Sequence, residues 1–263
     1  MNTDRILLAA HRGDRKMCPE NTMPAFEKAI AFGVDMIETD IHMTVDGELI
    51  IMHDRNTLRT TGHDGFTDQM TFYEIKTLDA GSWFSPEYKN TPVPSVKEFV
   101  ALVKDTDVLI NWELKDFPAV VGDDFAFRTA DKLIALIEEN GLTPRSMVNS
   151  FSDRVLAHIY QNHGHKFPIH GQGILRCQKT KDRAIIPQTE LYDWCCLYRD
   201  EPEGKALDYP HNFAYCLEKG IRPCVCVPDI PEDYERYLAL GCRMFTSNDI
   251  YEADRILRSC KVR

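Results

Sequence analysis

The chain lacks an excess of positive charge. Its 263 residues carry 31 Lys and Arg against 41 Asp and Glu, a formal net charge of -10. Nucleic-acid binding rests on clustered cations that neutralise phosphates, so this balance excludes a general electrostatic grip on DNA or RNA. A small anionic substrate stays compatible, because one local Arg or Lys outweighs a distant surface field. No apolar run approaches the roughly 20 residues that span a bilayer. The apolar stretch within the first ten residues, MNTDRILLAA, is too short for a signal peptide. Stable membrane insertion is therefore not expected, and a cytoplasmic location is. Repeats and low-complexity linkers are also missing, and no boundary divides the chain, which predicts a single domain over 1–263. An even cysteine set is missing too: there are nine, and Cys195-Cys196 and Cys224-x-Cys226 lie inside apolar runs instead of turns. We read them as reduced core residues and not as a disulfide frame or zinc site. Nothing points to a protein partner.

What is present is ordinary globular composition, 43% apolar and 27% charged, arranged as an alternation. Short β-branched or apolar runs predict strands at 5–11, 34–41, 107–115, 146–151, 167–171, 193–198, 222–227 and 242–247. Helical spacing predicts helices at 21–32, 95–104, 125–140, 152–162, 209–219, 232–240 and 250–258, with Gly141 placed as a C-terminal cap. Residues 48–54 form a further strand excursion behind the turn Asp46-Gly47. Eight strand units, each followed by a helix or long loop, are what a closed parallel (β/α)8 TIM barrel needs. Residues 55–94 exceed any ordinary crossover and carry Phe66, Phe72, Trp83 and Phe84, which predicts a small subdomain inserted after strand two. The Pro- and Gly-containing stretch 200–208 reads as a surface loop.

The charged residues gather at predicted strand ends. His11 and Arg12 end the first strand, Glu38 and Asp40 lie near the end of the second, and Glu113 and Lys115 end the third. Residues two apart share a strand face, and all C-terminal strand ends of a barrel converge on one mouth. Three inward carboxylates repel unless a cation lies between them, and hard oxygen ligands suit magnesium, calcium or manganese. Salt bridges to Arg12 and Lys115 in the barrel rim are the other reading. His11 and His53 are the candidate acid and base, since a pair flanking a phosphoryl group can take one proton and deliver another. His42, His63, His158, His163, His165, His170 and His211 are read as packed or surface residues.

These residues resemble a known family. His11-Arg12-Gly13, Pro19-Glu20-Asn21-Thr22, Ala25-Phe26, Ile37-Glu38-x-Asp40, Asp46-Gly47 and His53-Asp54 follow the order and spacing of glycerophosphodiester phosphodiesterases. The likeness continues through Leu58-x-Thr60-Thr61, Asp79-Ala80-Gly81-Ser82-Trp83-Phe84, Pro94, Glu113-x-Lys115, Ser150-Phe151 and Phe245-Thr246-Ser247-Asn248-Asp249. It implies a (β/α)8 barrel with a small insertion after strand two. It also implies one divalent cation, Mg2+ or Ca2+, on Glu38, Asp40 and Glu113, His11 and His53 as acid and base, and Arg12 and Lys115 on the phosphate. Asn21 would order the mouth, and Glu20 would partner Arg12 or the metal shell. Trp83 and Phe84 of the insertion, and Phe151, would line the substrate, although all three are also core candidates. The implied reaction cleaves a small glycerophosphodiester to glycerol 3-phosphate and an alcohol through a cyclic phosphate.

Two stretches depart from the family. Many members carry Trp-Thr-Val-Asn on strand seven where this chain has Val225-Cys226-Val227-Pro228, and Asn149 stands where Gln is common. Trp194 or Tyr198 could replace the missing aromatic surface, with core packing as the plainer reading. The departures keep three alternatives open: a lysophospholipase D or phospholipase D-like lyase, an enzyme for a divergent small diester, and a metabolite-binding barrel without activity.

Overall fold

The computed structural model describes residues 5–173, 186–197, 209–228 and 230–263; Tyr198 and the 200–208 stretch lie outside them. The strands are β1 (Leu7–His11), β2 (Met36–Met43), β3 (Leu49–Ile51), β4 (Leu109–Leu114), β5 (Ser146–Ser150), β6 (Ile169–Gln172), β7 (Trp194–Cys196), β8 (Arg222–Cys226) and β9 (Met244–Ser247). Around the sheet they run β1-β9-β8-β7-β6-β5-β4-β2, and β1 also pairs with β2, which closes the ring. All eight are parallel, while β3 pairs antiparallel with the far end of β2. The expected (β/α)8 barrel is thus present, with β3 (Leu49–Ile51) as the extra strand.

The two-residue period explains why this barrel has a dry floor and a polar mouth. Leu7, Ala9, Met36, Met147, Trp194, Cys196, Cys224 and Met244 form the inner core. Further along the same rows come His11, Glu38, Asp40, Asn111, Glu113, Asn149, His170, Gln172, Cys226 and Thr246, so the inward face turns polar toward the strand C-termini. Trp194 is therefore barrel packing and supplies no surface at the mouth. No disulfide joins the described cysteines. No helix of the described residues is long and apolar enough to cross a membrane.

The outward rows pack against helices. Trp112 is fully buried, donates from Nε1 to Ser146 Oγ at 2.9 Å and sits edge-on to Phe99. Phe99 comes from helix Val96–Val103, which starts at a capping box: Ser95 Oγ accepts from the Glu98 N–H and Glu98 accepts from the Ser95 N–H. Helix Asp123–Glu139 buries Ala126, Thr129, Ala130, Leu133, Ile134 and Ile137 along one stripe. Each fully buried Leu or Ile there contributes about 1.5–3 kcal/mol.

Helix Met23–Phe32 begins two residues later than its periodicity predicts, because Asn21 adopts a left-handed conformation (φ 56°) that turns its amide toward β2. Between β3 and β4 the chain makes short helices Leu58–Thr61 and Phe72–Lys76 and single turns Thr67–Gln69 and Pro86–Tyr88. A small apolar cluster of Ile50, Met52, Ile75, Ala80 and Val93 holds this segment together. It rests on the loop after β1, where the Tyr88 hydroxyl donates to Met17 O at 3.0 Å.

Gly13 lets that loop approach the following helix. Its φ is +78°, and a Cβ there would lie 2.8 Å from the Ala25 carbonyl carbon. Gly13→Ala is expected to destabilise the fold by about 1–3 kcal/mol, from strain plus clash. Urea denaturation checks it, and an unchanged midpoint would contradict the close approach.

Candidate active site

Each wall of the mouth comes from a strand end or the residue just past it. Backbone register sets His11 level with Glu38, Asp40 with Glu113, and Glu113 with Asn149. His11, Arg12, Glu38, His53, Glu113, Lys115 and Phe151 all line one cavity of about 240 Å³. Asp40 lies just behind that wall, fully buried. The oxygens that Glu38, Asp40 and Glu113 offer lie within 4.8 Å of one another.

Arg12 and Lys115 are threaded between these acids. Arg12 adopts a left-handed conformation (φ 60°), donates to Glu20 at 2.8 Å and pairs with Asp40 at 3.2 Å, while its backbone N–H donates to Glu38 Oε2 at 3.1 Å. Lys115 pairs with Asp40 at 3.1 Å and with Glu113, and its ammonium lies over the Phe151 ring. Both readings of the sequence thus meet here: salt bridges exist, yet two cations face three acids. Burial, then Asp40 and Glu113, push Glu38 well above the usual carboxylate range. Burial also raises Glu113 despite Lys115. Asp40 goes the other way, since Lys115 and Arg12 overcome the cost of its burial. Glu38 Oε1 is buried and has no hydrogen-bond partner among the described residues.

The two histidines are oriented by neighbours. His11 Nδ1 lies 2.6 Å from Asn248 Oδ1 and His53 Nδ1 lies 2.7 Å from Asp54 Oδ1. Those oxygens accept, so in each neutral ring Nδ1 carries the proton and Nε2 keeps its lone pair. Burial, then Arg12, lowers His11 to about 3. Burial and Lys115 also lower His53, which stays about a third exposed.

Further side chains complete the site, beginning with the expected Asn21 and Glu20. Asn21 donates to Asp40 Oδ2 at 2.7 Å. Glu20 is held by Arg12, Arg15 and Arg59, and Arg59 also pairs with Asp54 behind His53. His42 and Asp116 form a buried pair at 2.6 Å, with His42 Nε2 3.4 Å from the His53 carbonyl. The far wall brings Asn111, Asn149, His170, Gln172, Cys196, Cys226, Val227 and Thr246. Gln172 donates to Asn149 at 2.7 Å, so the departure at 149 is a shorter amide extended by a second one from β6. The two-residue period that pairs Glu38 with Asp40 also picks out His170 and Gln172. Trp83 stands apart from the cavity walls: it is 42% exposed, donates to Ala80 O at 2.9 Å and contacts Phe84 edge-on.

A parallel barrel whose mouth joins two histidines, three carboxylates and two cations has the make-up of a phosphoryl-handling enzyme. A family model, the glycerophosphoryl diester phosphodiesterase family, matches residues 11–189. A glycerophosphodiester phosphodiesterase of Caldanaerobacter subterraneus subsp. tengcongensis is 36% identical over 250 residues, 93% of this chain and 95% of that one. Among solved structures, an Oleispira antarctica phosphodiesterase in complex with the product sn-glycerol-3-phosphate superposes with TM-score 0.81 at 18% identity, covering 97% of each chain. A glycerophosphodiester phosphodiesterase from Agrobacterium tumefaciens gives 0.72 at 21%, covering 93% of this chain and 97% of its own. The chain belongs to the glycerophosphoryl diester phosphodiesterase family and is a phosphodiester hydrolase.

Acid sensitivity follows from the buried rings. His11 and His170 are both lowered to about 3 by burial, from an ordinary value of 6.5. The unfolded chain binds their protons first as pH falls, so their contribution is whole above about 6.5 and is lost progressively toward about 3. Glu38 and Glu113, both raised, take up protons on folding and oppose this in wild type and variant alike, so the readout is the difference: from pH 7 to pH 5 the urea midpoint should fall less in His170→Asn than in the wild type. An equal fall in that variant would remove His170 from the account.

Proposed function

We propose that the enzyme cleaves a small glycerophosphodiester to glycerol 3-phosphate and an alcohol, using one divalent cation, Mg2+ or Ca2+, held by Glu38, Asp40 and Glu113. The observation that carries the proposal is the shortage of positive charge: among the described residues the three buried carboxylates pair with Arg12 and Lys115, and Glu38 Oε1 has no hydrogen-bond partner. All the offered donors are hard oxygens, which fits either cation. When bound, the cation would polarise phosphoryl and hydroxyl oxygens as a Lewis acid.

The chain's own groups do the rest. Arg12 and Lys115 bind the phosphoryl oxygens and orient phosphorus for attack by the glycerol 2-hydroxyl. His11, kept neutral by burial, takes the hydroxyl proton on Nε2 as the new O–P bond forms. His53, entering as the imidazolium with its Nδ1–H on Asp54, gives its Nε2 proton to the leaving alcohol as the P–O bond breaks, which yields a cyclic glycerol phosphate and a neutral His53. Water then attacks phosphorus, gives its proton to His53, and the ring oxygen recovers a proton from His11. The small size of the cavity, about 240 Å³, supports a small diester over a lipid. Trp83 would meet the leaving group only outside that cavity.

Glycerophosphocholine or glycerophosphoethanolamine with Mg2+ or Ca2+ should give glycerol 3-phosphate, and a chelator should stop it. Turnover confined to a lysophospholipid would replace this reading with the lipid one. His11→Ala and His53→Ala should each lower kcat by about 10²–10⁴-fold without unfolding, and wild-type turnover in either would sink the pair. Glu38→Gln should raise the cation concentration needed for half-maximal rate, and quenched reactions should show the cyclic ester by phosphorus NMR.

A further inference from the structure

Beneath the carboxylates, the barrel floor holds a second donor set of different chemistry. Register places Cys196 of β7 level with Cys224 of β8, and the donor atoms of His170, Cys196 and Cys224 lie within 4.8 Å of one another. His170 Nε2 is 3.1 Å from Cys224 Sγ. Cys226, two residues further along β8, shares a side-chain hydrogen bond with Cys196. His170, Cys196 and Cys226 line the substrate cavity, so the cluster is reached from the mouth. Two sulfurs and a nitrogen around a tetrahedral zinc ion stand about 3.5–3.8 Å apart, a spacing this cluster can adopt with small side-chain shifts. The catalytic reading does not use these thiols.

We propose that His170, Cys196 and Cys224, with Cys226 as fourth donor, bind a thiophilic divalent ion of the zinc type at the cavity floor, separate from the carboxylate trio. Soft sulfur and imidazole select such an ion, whereas Glu38, Asp40 and Glu113 select a hard one. The thiols that bind release their protons to solvent as S–metal bonds form, and imidazole binds neutral through Nε2. Its Nδ1 then carries the proton, and Asn111 is in place to accept it: the amide nitrogen and oxygen lie 3.1 and 3.5 Å away, so a turn of the amide presents the oxygen. The spacing of the cysteines in sequence hides this set, because its donors come from three neighbouring strands.

Cobalt(II) added to the purified enzyme in excess Mg2+ should bind with a thiolate-to-cobalt charge-transfer band. Cys196→Ser and Cys224→Ser should lose the band, and Glu113→Gln should keep it. No band in the wild type, a band surviving in both serine variants, or its loss in folded Glu113→Gln would each overturn the proposal. If the serine variants fail to fold by circular dichroism, alkylation of the wild type decides. Zinc should slow modification of Cys226, the partly exposed thiol of the set, and an unchanged rate overturns the site.

Discussion

The molecule is organised around an imbalance of charge in a dry place. Glu38, Asp40 and Glu113 are each at most 6% exposed, and among the described residues Arg12 and Lys115 are the cations threaded between them. Removing one partner from a buried ion pair typically costs about 3–5 kcal/mol, because the other charge is left without water or counterion. The surroundings are therefore shaped to hold these five side chains in register. Arg12 and Asn21 both adopt left-handed backbone to reach Asp40, and β2 and β4 run level so that Asp40 meets Glu113. Among the described residues the cluster holds three acids against two cations, and the strain of that balance shows in Glu38, which burial and its two acidic neighbours push well above the usual carboxylate range.

The barrel itself was legible because its signal is periodic. Apolar runs recur with the spacing of strand and helix, and each predicted strand corresponds to an observed one. Helix starts were less exact. Residue 21 carries the pattern of helix Met23–Phe32 but spends its side chain on Asp40, and a long-range bond of that kind leaves no local trace. Residues 55–94 announced themselves by length and aromatics, yet not by contacts. Tyr88 meeting Met17, and Arg59 meeting Glu20, are pairings across 71 and 39 residues.

The mouth was legible on the side where charge marks it. His11, Arg12, Glu38, His53, Glu113 and Lys115 are conspicuous in apolar strands, and they share one cavity. The opposite wall is built from amides, thiols and one imidazole, residue types that a strand pattern tolerates without comment. Asn149 looked like a loss against the family pattern, but Gln172 from the next strand reaches it. A strand-by-strand comparison misses such compensation, because the partner lies on a neighbouring strand and not nearby in sequence.

Glu20 has a consequence of its own. It is claimed at once by Arg12 of the first loop, by Arg15, and by Arg59 of the segment after β3. Arg59 in turn holds Asp54, the carboxylate behind His53. The segment is thus wired into both halves of the mouth through one side chain. Transplanting it from a relative that lacks an arginine at this position would leave Glu20 to draw Arg12 away from Asp40 and would free Asp54 from its anchor. Every residue of the mouth would keep its identity while the field they share changed, so this appendage cannot be traded as an independent module.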